Sequence, residues 1–141
     1  MKQQGLYLPE FERDNCGAGF ICNLNGKKSN TIIHNALEIL VKLEHRGAVG
    51  SDGRTGDGAG ILIDIPHEFF QRVCDFNIPK PKEYGVAMVF LPKSKNQSAY
   101  CIAVLEEEIY KQGLHIIGWR DVPVDASSIG EIAAETAPTI K

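Results

Sequence analysis

No stretch of the 141 residues approaches the roughly 20 consecutive apolar positions that a membrane-spanning helix needs. Residues 1–15 are polar and charged, without the apolar centre of a secretory signal. There is no charge excess: 15 Lys and Arg stand against 18 Asp and Glu, a net charge of -3. That balance argues against a surface built for nucleic acid or for anionic lipid. The four cysteines, Cys16, Cys22, Cys74 and Cys101, form no two-residue-spaced pair of the zinc or redox kind. Internal repeats, linkers and low-complexity stretches are absent as well. A soluble, cytoplasmic globular protein with reduced thiols is expected.

What is present fits that class. Hydrophobic residues make up 43% and charged residues 23%, which excludes intrinsic disorder. The length suits one domain. Glycine is the outlier, with 14 residues, about 10% against a usual share of about 7%. Gly47, Gly50, Gly53, Gly56, Gly58 and Gly60 crowd one stretch, and Gly17 and Gly19 follow Cys16 closely. Both clusters mark backbone that comes close to something or takes positive φ.

The pattern predicts β-α-β-α-β-α-β with a trailing element. Residues 17–24 read as a strand ended by the turn Asn25-Gly26. A helix starts at Ser29 or Asn30, with Ile33, Leu37, Leu40 and Leu43 at helical spacing. Its last turn holds His45 and Arg46, and Gly47 is the natural residue after its end. Strands are expected over 61–65, 84–91 and 114–119, and helices over 67–76 and 97–112, the latter closed by Gly113. Glu106, Glu107 and Glu108 are expected on its solvent side. Ser128 and Glu131 have the spacing of a capping box before a last helix.

Most candidate sites fail on context. The run 53–61 is glycine-rich, but a strand follows it instead of a helix, and the phosphate-loop lysine and hydroxyl are missing. His67-Glu68 lacks the second histidine of a zinc protease helix, since position 71 is Gln71. His34, His45 and His115 are scattered, so no metal site is expected. Cys22, Cys74 and Cys101 have apolar neighbours and read as small buried hydrophobes. Cys16 differs, because a charged run precedes it and Gly-Ala-Gly follows, a context that exposes the thiol. It has no local base. If residues 1–15 were removed, its own α-amino group, with a pKa of about 7.7–8.0, would supply one. That is the design of an N-terminal nucleophile.

Four blocks then resemble a known family: GLYLPEFERDNCGAGF (5–20), NALEILVKLEHRGAVG (35–50), TGDGAGILIDIPHEFF (55–70) and GWRDVPVD (118–125). They are similar, in order and in one register, to the N-terminal class II glutamine amidotransferase domain of glutamate synthases. The resemblance implies an α+β fold, the four-layer αββα sandwich of N-terminal-nucleophile hydrolases, of which this chain would hold the first part. Residues 1–15 would be the leader, cleaved between Asn15 and Cys16, and 16–141 the N-terminal part of the domain. Cys16 would attack the glutamine side-chain amide and release ammonia and glutamate. Arg46, with Gly47 in the matched His-Arg-Gly block, would organise the site, and Asp57 in the TGDGAG turn would be structural. Ala18 replaces a frequent valine and Val49 a common cysteine, both without harm to the chemistry.

The family's asparagine-glycine oxyanion hole and its glutamine-binding residues are expected beyond Lys141, so the chain alone is expected to be inactive. An oxyanion donor alone is worth roughly 10²–10³ in rate. No cofactor is expected in this segment. In the complete synthase, ammonia would reach an FMN site for addition to 2-oxoglutarate, with electrons passed through an iron–sulfur cluster. Expected partners are glutamine, the remaining synthase domains, and an electron-donor subunit or ferredoxin, without nucleic acid or membrane. The alternatives are a non-catalytic scaffold or assembly module, or a truncated gene fragment.

Overall fold

The helix predicted from Ser29 onward forms where its apolar spacing places it. In the computed structural model, which describes residues 16–141, α1 spans Asn30–Lys42. Ile32, Ile33, Ala36, Ile39, Leu40 and Leu43 are its half-buried positions, and Leu37 falls outside that stripe at 45% exposure. On the open side, Lys42 pairs with Glu38 at 2.8 Å. The hydrogen bond and charge of that ammonium hold the Glu38 carboxyl below its ordinary range. The helix stops at Leu43, and the chain tightens into a 3₁₀ turn over Glu44–Arg46. His45 and Arg46 therefore lie in this turn and not in the α-helix. Gly47 follows it with extended backbone (φ -96, ψ 165) instead of the left-handed conformation expected after a helix.

The chain forms two compact units, one ending at Ile61 and the other Leu62–Lys141. In the first, the turn at Asn25-Gly26 is present, with the Gly26 N–H donating to the Asn23 carbonyl at 2.9 Å and a φ of 67. Residues 17–24 form no paired strand. The expected leader, 1–15, lies outside the described residues.

In the second unit, α2 spans His67–Val73 and α3 spans Lys95–Lys111. Gly113 closes α3 as expected. With φ 74 it donates to Tyr110 O at 3.0 Å, while Leu114 N–H reaches Ile109 O at 3.2 Å. These two bonds are the Schellman pair that satisfies the last carbonyls of a helix. Lys111 bridges Glu107 and Glu108, both at 2.8 Å, and those carboxylates raise its pKa. Glu106 corrects the expectation of a solvated acidic face: it is half-buried and accepts the Trp119 Nε1–H at 2.7 Å.

The predicted strands are the main departure. Residues 61–65 and 114–119 pair with nothing as strands, and of 84–91 only β1, Phe90–Leu91, is a strand. Its partner β2, Thr139–Ile140, is antiparallel, with Phe90 opposite Ile140 and Leu91 opposite Thr139. Val89 and Lys141 extend the ladder by exchanging bonds of 2.8 and 3.0 Å. Val122 N–H donates to Ile140 O at 3.0 Å, so the C-terminal segment bonds to two others. Leu91, 3% exposed, is the one buried apolar side chain among the described residues. The four-layer sandwich is thus not assembled here; the described residues form a mixed helix and strand arrangement with one two-stranded sheet.

α4, Glu131–Thr136, begins after Gly130, and no side chain caps it, so the expected Ser128–Glu131 capping box does not form. Lys93 Nζ instead donates to the carbonyls of Ala134 and Glu135 at 2.9 and 3.2 Å. A cation near a helix C-terminus also complements its dipole. Among the described residues no helix is long and apolar enough to cross a membrane.

Residues 118–120 tie this unit together. The Arg120 guanidinium carbon sits 5.7 Å from the Phe69 ring centroid on α2, and Trp119 bonds to α3. At Gly118, a Cβ would meet the Phe76 ring at 2.5–2.7 Å. Gly118→Ala is therefore expected to cost about 1–3 kcal/mol by overpacking. Gly85→Ala, where nothing lies within 4 Å, should stay within about 0.5 kcal/mol. Urea unfolding checks both, and equal midpoints for the two variants would refute the packing of Gly118 on Phe76.

Candidate functional site

Cys16 is exposed with a free thiol, as its sequence context predicts. What holds its segment in place is the absence of side chains next to it. A Cβ at Gly17 would meet Leu43 Cδ2 at 3.2 Å and Arg46 Cβ at 3.3 Å, and one at Gly19 would meet Ile39 Cγ2 at 2.6 Å. The backbone after Cys16 therefore lies directly on α1 and its 3₁₀ extension. This brings the Cys16 segment and the stem of Arg46 together.

Arg46 is fixed by its backbone on both sides. Its own N–H donates to Leu43 O at 2.8 Å, and Gly47 N–H donates to Glu44 O at 3.1 Å. Nothing in the conformation of Gly47 demands glycine, since a Cβ there would meet only Glu44 O at 3.6 Å.

Beyond Gly47 the glycine-rich stretch folds back on itself. The Asp57 carboxylate accepts the Ala48 N–H at 2.9 Å, Val49 and Gly56 form an antiparallel bridge, and Gly50 N–H donates to Thr55 O at 2.6 Å. At the tip, Asp52 Oδ1 accepts the N–H groups of Arg54 and Thr55 at 3.0 and 2.8 Å. Its Oδ2 accepts the Thr55 hydroxyl at 2.6 Å. Gly53 and Gly58 have φ of 69 and 91, which accounts for glycine there. Gly50 and Gly56 answer instead to close approach, with a Cβ reaching Thr55 O at 3.3 Å and Ala48 O at 3.4 Å. The two explanations offered for the glycine excess thus divide between positions.

Sequence reasoning missed the role of Asp52 and the partner of Asp57. Asp52 organises the loop tip, and its acceptor position three residues before a threonine is the signal that an Asx turn would give. Asp57 reaches nine residues back, for which no local signal exists. Cys22 corrects the expectation of a buried hydrophobe, being exposed, while Cys74 and Cys101 are half-buried. Among the described residues no three His, Cys, Asp or Glu side chains are grouped to hold a metal. His34 lies 3.3 Å from the Asn30 amide, and His115 stacks at a tilt near Tyr110.

Residues 16–141 match the family described as class-II glutamine amidotransferases. The chain is 41% identical to the glutamate synthase (NADPH) large chain of Bacillus subtilis, over 99% of this chain and 9% of that one. It is 42% identical to the glutamate synthase (NADH) of Saccharomyces cerevisiae, over 98% and 7% respectively. A chloroplastic ferredoxin-dependent glutamate synthase 2 of Arabidopsis thaliana is 40% identical over 98% of this chain and 9% of its own length. The chain spans less than a tenth of the length of these relatives.

The packing of the Cys16 segment is directly testable. Gly17→Ala asks a Leu43 methyl and the Arg46 stem to yield a few tenths of an ångström, at an expected cost of about 1 kcal/mol, and Gly17→Val should cost more. An unfolding midpoint that Gly17→Val leaves unchanged would show that this segment does not rest on α1.

Proposed function

The chain belongs to the class II glutamine amidotransferases, and from that membership we propose that it supplies the glutaminase nucleophile of a glutamate synthase, on the N-terminal-nucleophile fold. The observation that carries this reading is the identity of about 40% that spans nearly the whole chain in glutamate synthases of three electron-donor types. The exposed Cys16 thiol, set beside Arg46 by Gly17, is consistent with it.

In this reading residues 1–15 are removed and Cys16 becomes the amino terminus. Its α-amino group takes the thiol proton, and the thiolate attacks the side-chain amide carbon of glutamine. The carbon–nitrogen bond breaks, ammonia departs with that proton, and a γ-glutamyl thioester remains on Sγ. Water then cleaves the thioester, giving glutamate and the free thiol. Arg46 and Gly47 organise the segment next to the nucleophile without touching the reacting carbon.

Ammonia so formed would serve glutamate formation from 2-oxoglutarate elsewhere in the complete enzyme, where FMN and an iron–sulfur cluster supply electron transfer. The described residues do not fit a cluster site: no three potential ligands converge. Its partners in this reading are glutamine, the other synthase domains, and an electron-donor subunit or ferredoxin.

The test uses the full-length polypeptide. Intact mass and amino-terminal sequencing should find Cys16 first. A diazo-ketone analogue of glutamine should label Cys16, and Cys16→Ala should lower glutamine hydrolysis at least 10³-fold, in line with loss of a nucleophile. Hydrolysis that survives Cys16→Ala would refute the assignment.

A further inference from the structure

We infer that Asp57 is a positioning residue for the Cys16 centre, acting through Arg46; this rests on the glutaminase reading above. The geometry forms one continuous line. The Asp57 carboxylate accepts the Ala48 N–H at 2.9 Å, two residues after Arg46. Arg46 is held from the other side by its N–H bond to Leu43 O at 2.8 Å. Its Cβ and Cγ would lie 3.3 and 3.4 Å from a Cβ at Gly17, which directly follows Cys16.

Arg46 thus sits between two anchors, the end of α1 and the Asp57 carboxylate. Asp52 serves a different part of the loop, its carboxylate accepting the N–H groups of Arg54 and Thr55 and the Thr55 hydroxyl at the tip. The bridge between Val49 and Gly56 and the Gly50–Thr55 bond continue the same ladder away from the site. Asp57 is the rung nearest to Arg46.

Asp57 is also exposed. Water can replace its bond to Ala48, so losing it should change register more than stability. A displacement of about 1 Å near a nucleophile can cost about 10²-fold in rate. An acceptor oxygen is what the Ala48 N–H requires, and a carboxamide can provide one where a methyl cannot.

The experiment measures glutamine hydrolysis by the full-length polypeptide. Asp57→Ala should lower kcat about 10- to 100-fold with KM changed less than threefold, while thermal unfolding moves little. Asp57→Asn should recover at least half of that loss on a logarithmic scale. In an Arg46→Ala background, Asp57→Ala should add less than twofold, because the side chain whose place Asp57 fixes is already removed. A kcat for Asp57→Ala within twofold of the parent would overturn the inference, as would no recovery in Asp57→Asn or fully additive losses with Arg46→Ala. If Asp57→Ala does not fold, Asp57→Ser, whose short hydroxyl does not span to Ala48, takes its place with the same expectations. Hydrolysis that persists in Cys16→Ala would instead remove the glutaminase reading itself, an outcome separate from these.

Discussion

Close approach of bare backbone to an apolar side chain is the constraint on which both units depend. At Gly19 a methyl would stand 2.6 Å from Ile39 Cγ2, and at Gly118 it would stand 2.5 Å from the Phe76 ring. Neither site has room for any other residue type unless its neighbour moves. In the first unit this sets the segment after Cys16 on α1. In the second it places Trp119 and Arg120 where they reach Glu106 and the Phe69 ring. The thiol of Cys16 owes its position to the residues that follow it, since glycine at 17 and 19 determines how near the helix they can lie.

How much of this was legible in the sequence follows from the range of each interaction. Helices α1 and α3 were legible because their signals are local: apolar spacing for one, and for the other Gly113 in the left-handed conformation that a Schellman closure needs. The turn at Asn25-Gly26 was legible for the same reason. Strands were not. A strand needs a partner at long range, and of 84–91 only the last three residues find one, in 139–141. The capping box at Ser128 failed because Gly130, two residues later than the pattern requires, sits at the helix start. Glu106 looked like one of three solvated acids, and only the position of Trp119 separates it from Glu107 and Glu108.

The candidate site divides in the same way. Cys16 and Arg46 were singled out through a resemblance that covers the chain, and the exposure of Cys16 agrees with its glycine-rich context. Their juxtaposition through Gly17 was not readable from spacing, because thirty positions separate them and a helix fills the interval. Asp57 was read as structural from its place in a tight turn. That turn is real, and the Asp57 carboxylate in it reaches back to the Ala48 N–H, two residues from Arg46, a link that no local spacing announces.

A further consequence concerns what holds these local devices in place. Leu62, Leu24 and Phe20 are 101%, 97% and 91% exposed, and full burial of such a side chain is worth roughly 1.5–3 kcal/mol. Among the described residues Leu91 is the one apolar side chain that is buried. Among the described residues the Cys16 region is ordered by short-range contacts: the 3₁₀ turn, the Asp57–Ala48 bond, and the close approach of Gly17 and Gly19 to α1. A site of that kind is most vulnerable to changes in backbone anchors. A core-centred site would fail when a large apolar residue is truncated. In the proposed arrangement, loss of the Asp57 carboxylate would reach the Cys16 segment through Ala48 and Arg46, two residues apart in the chain.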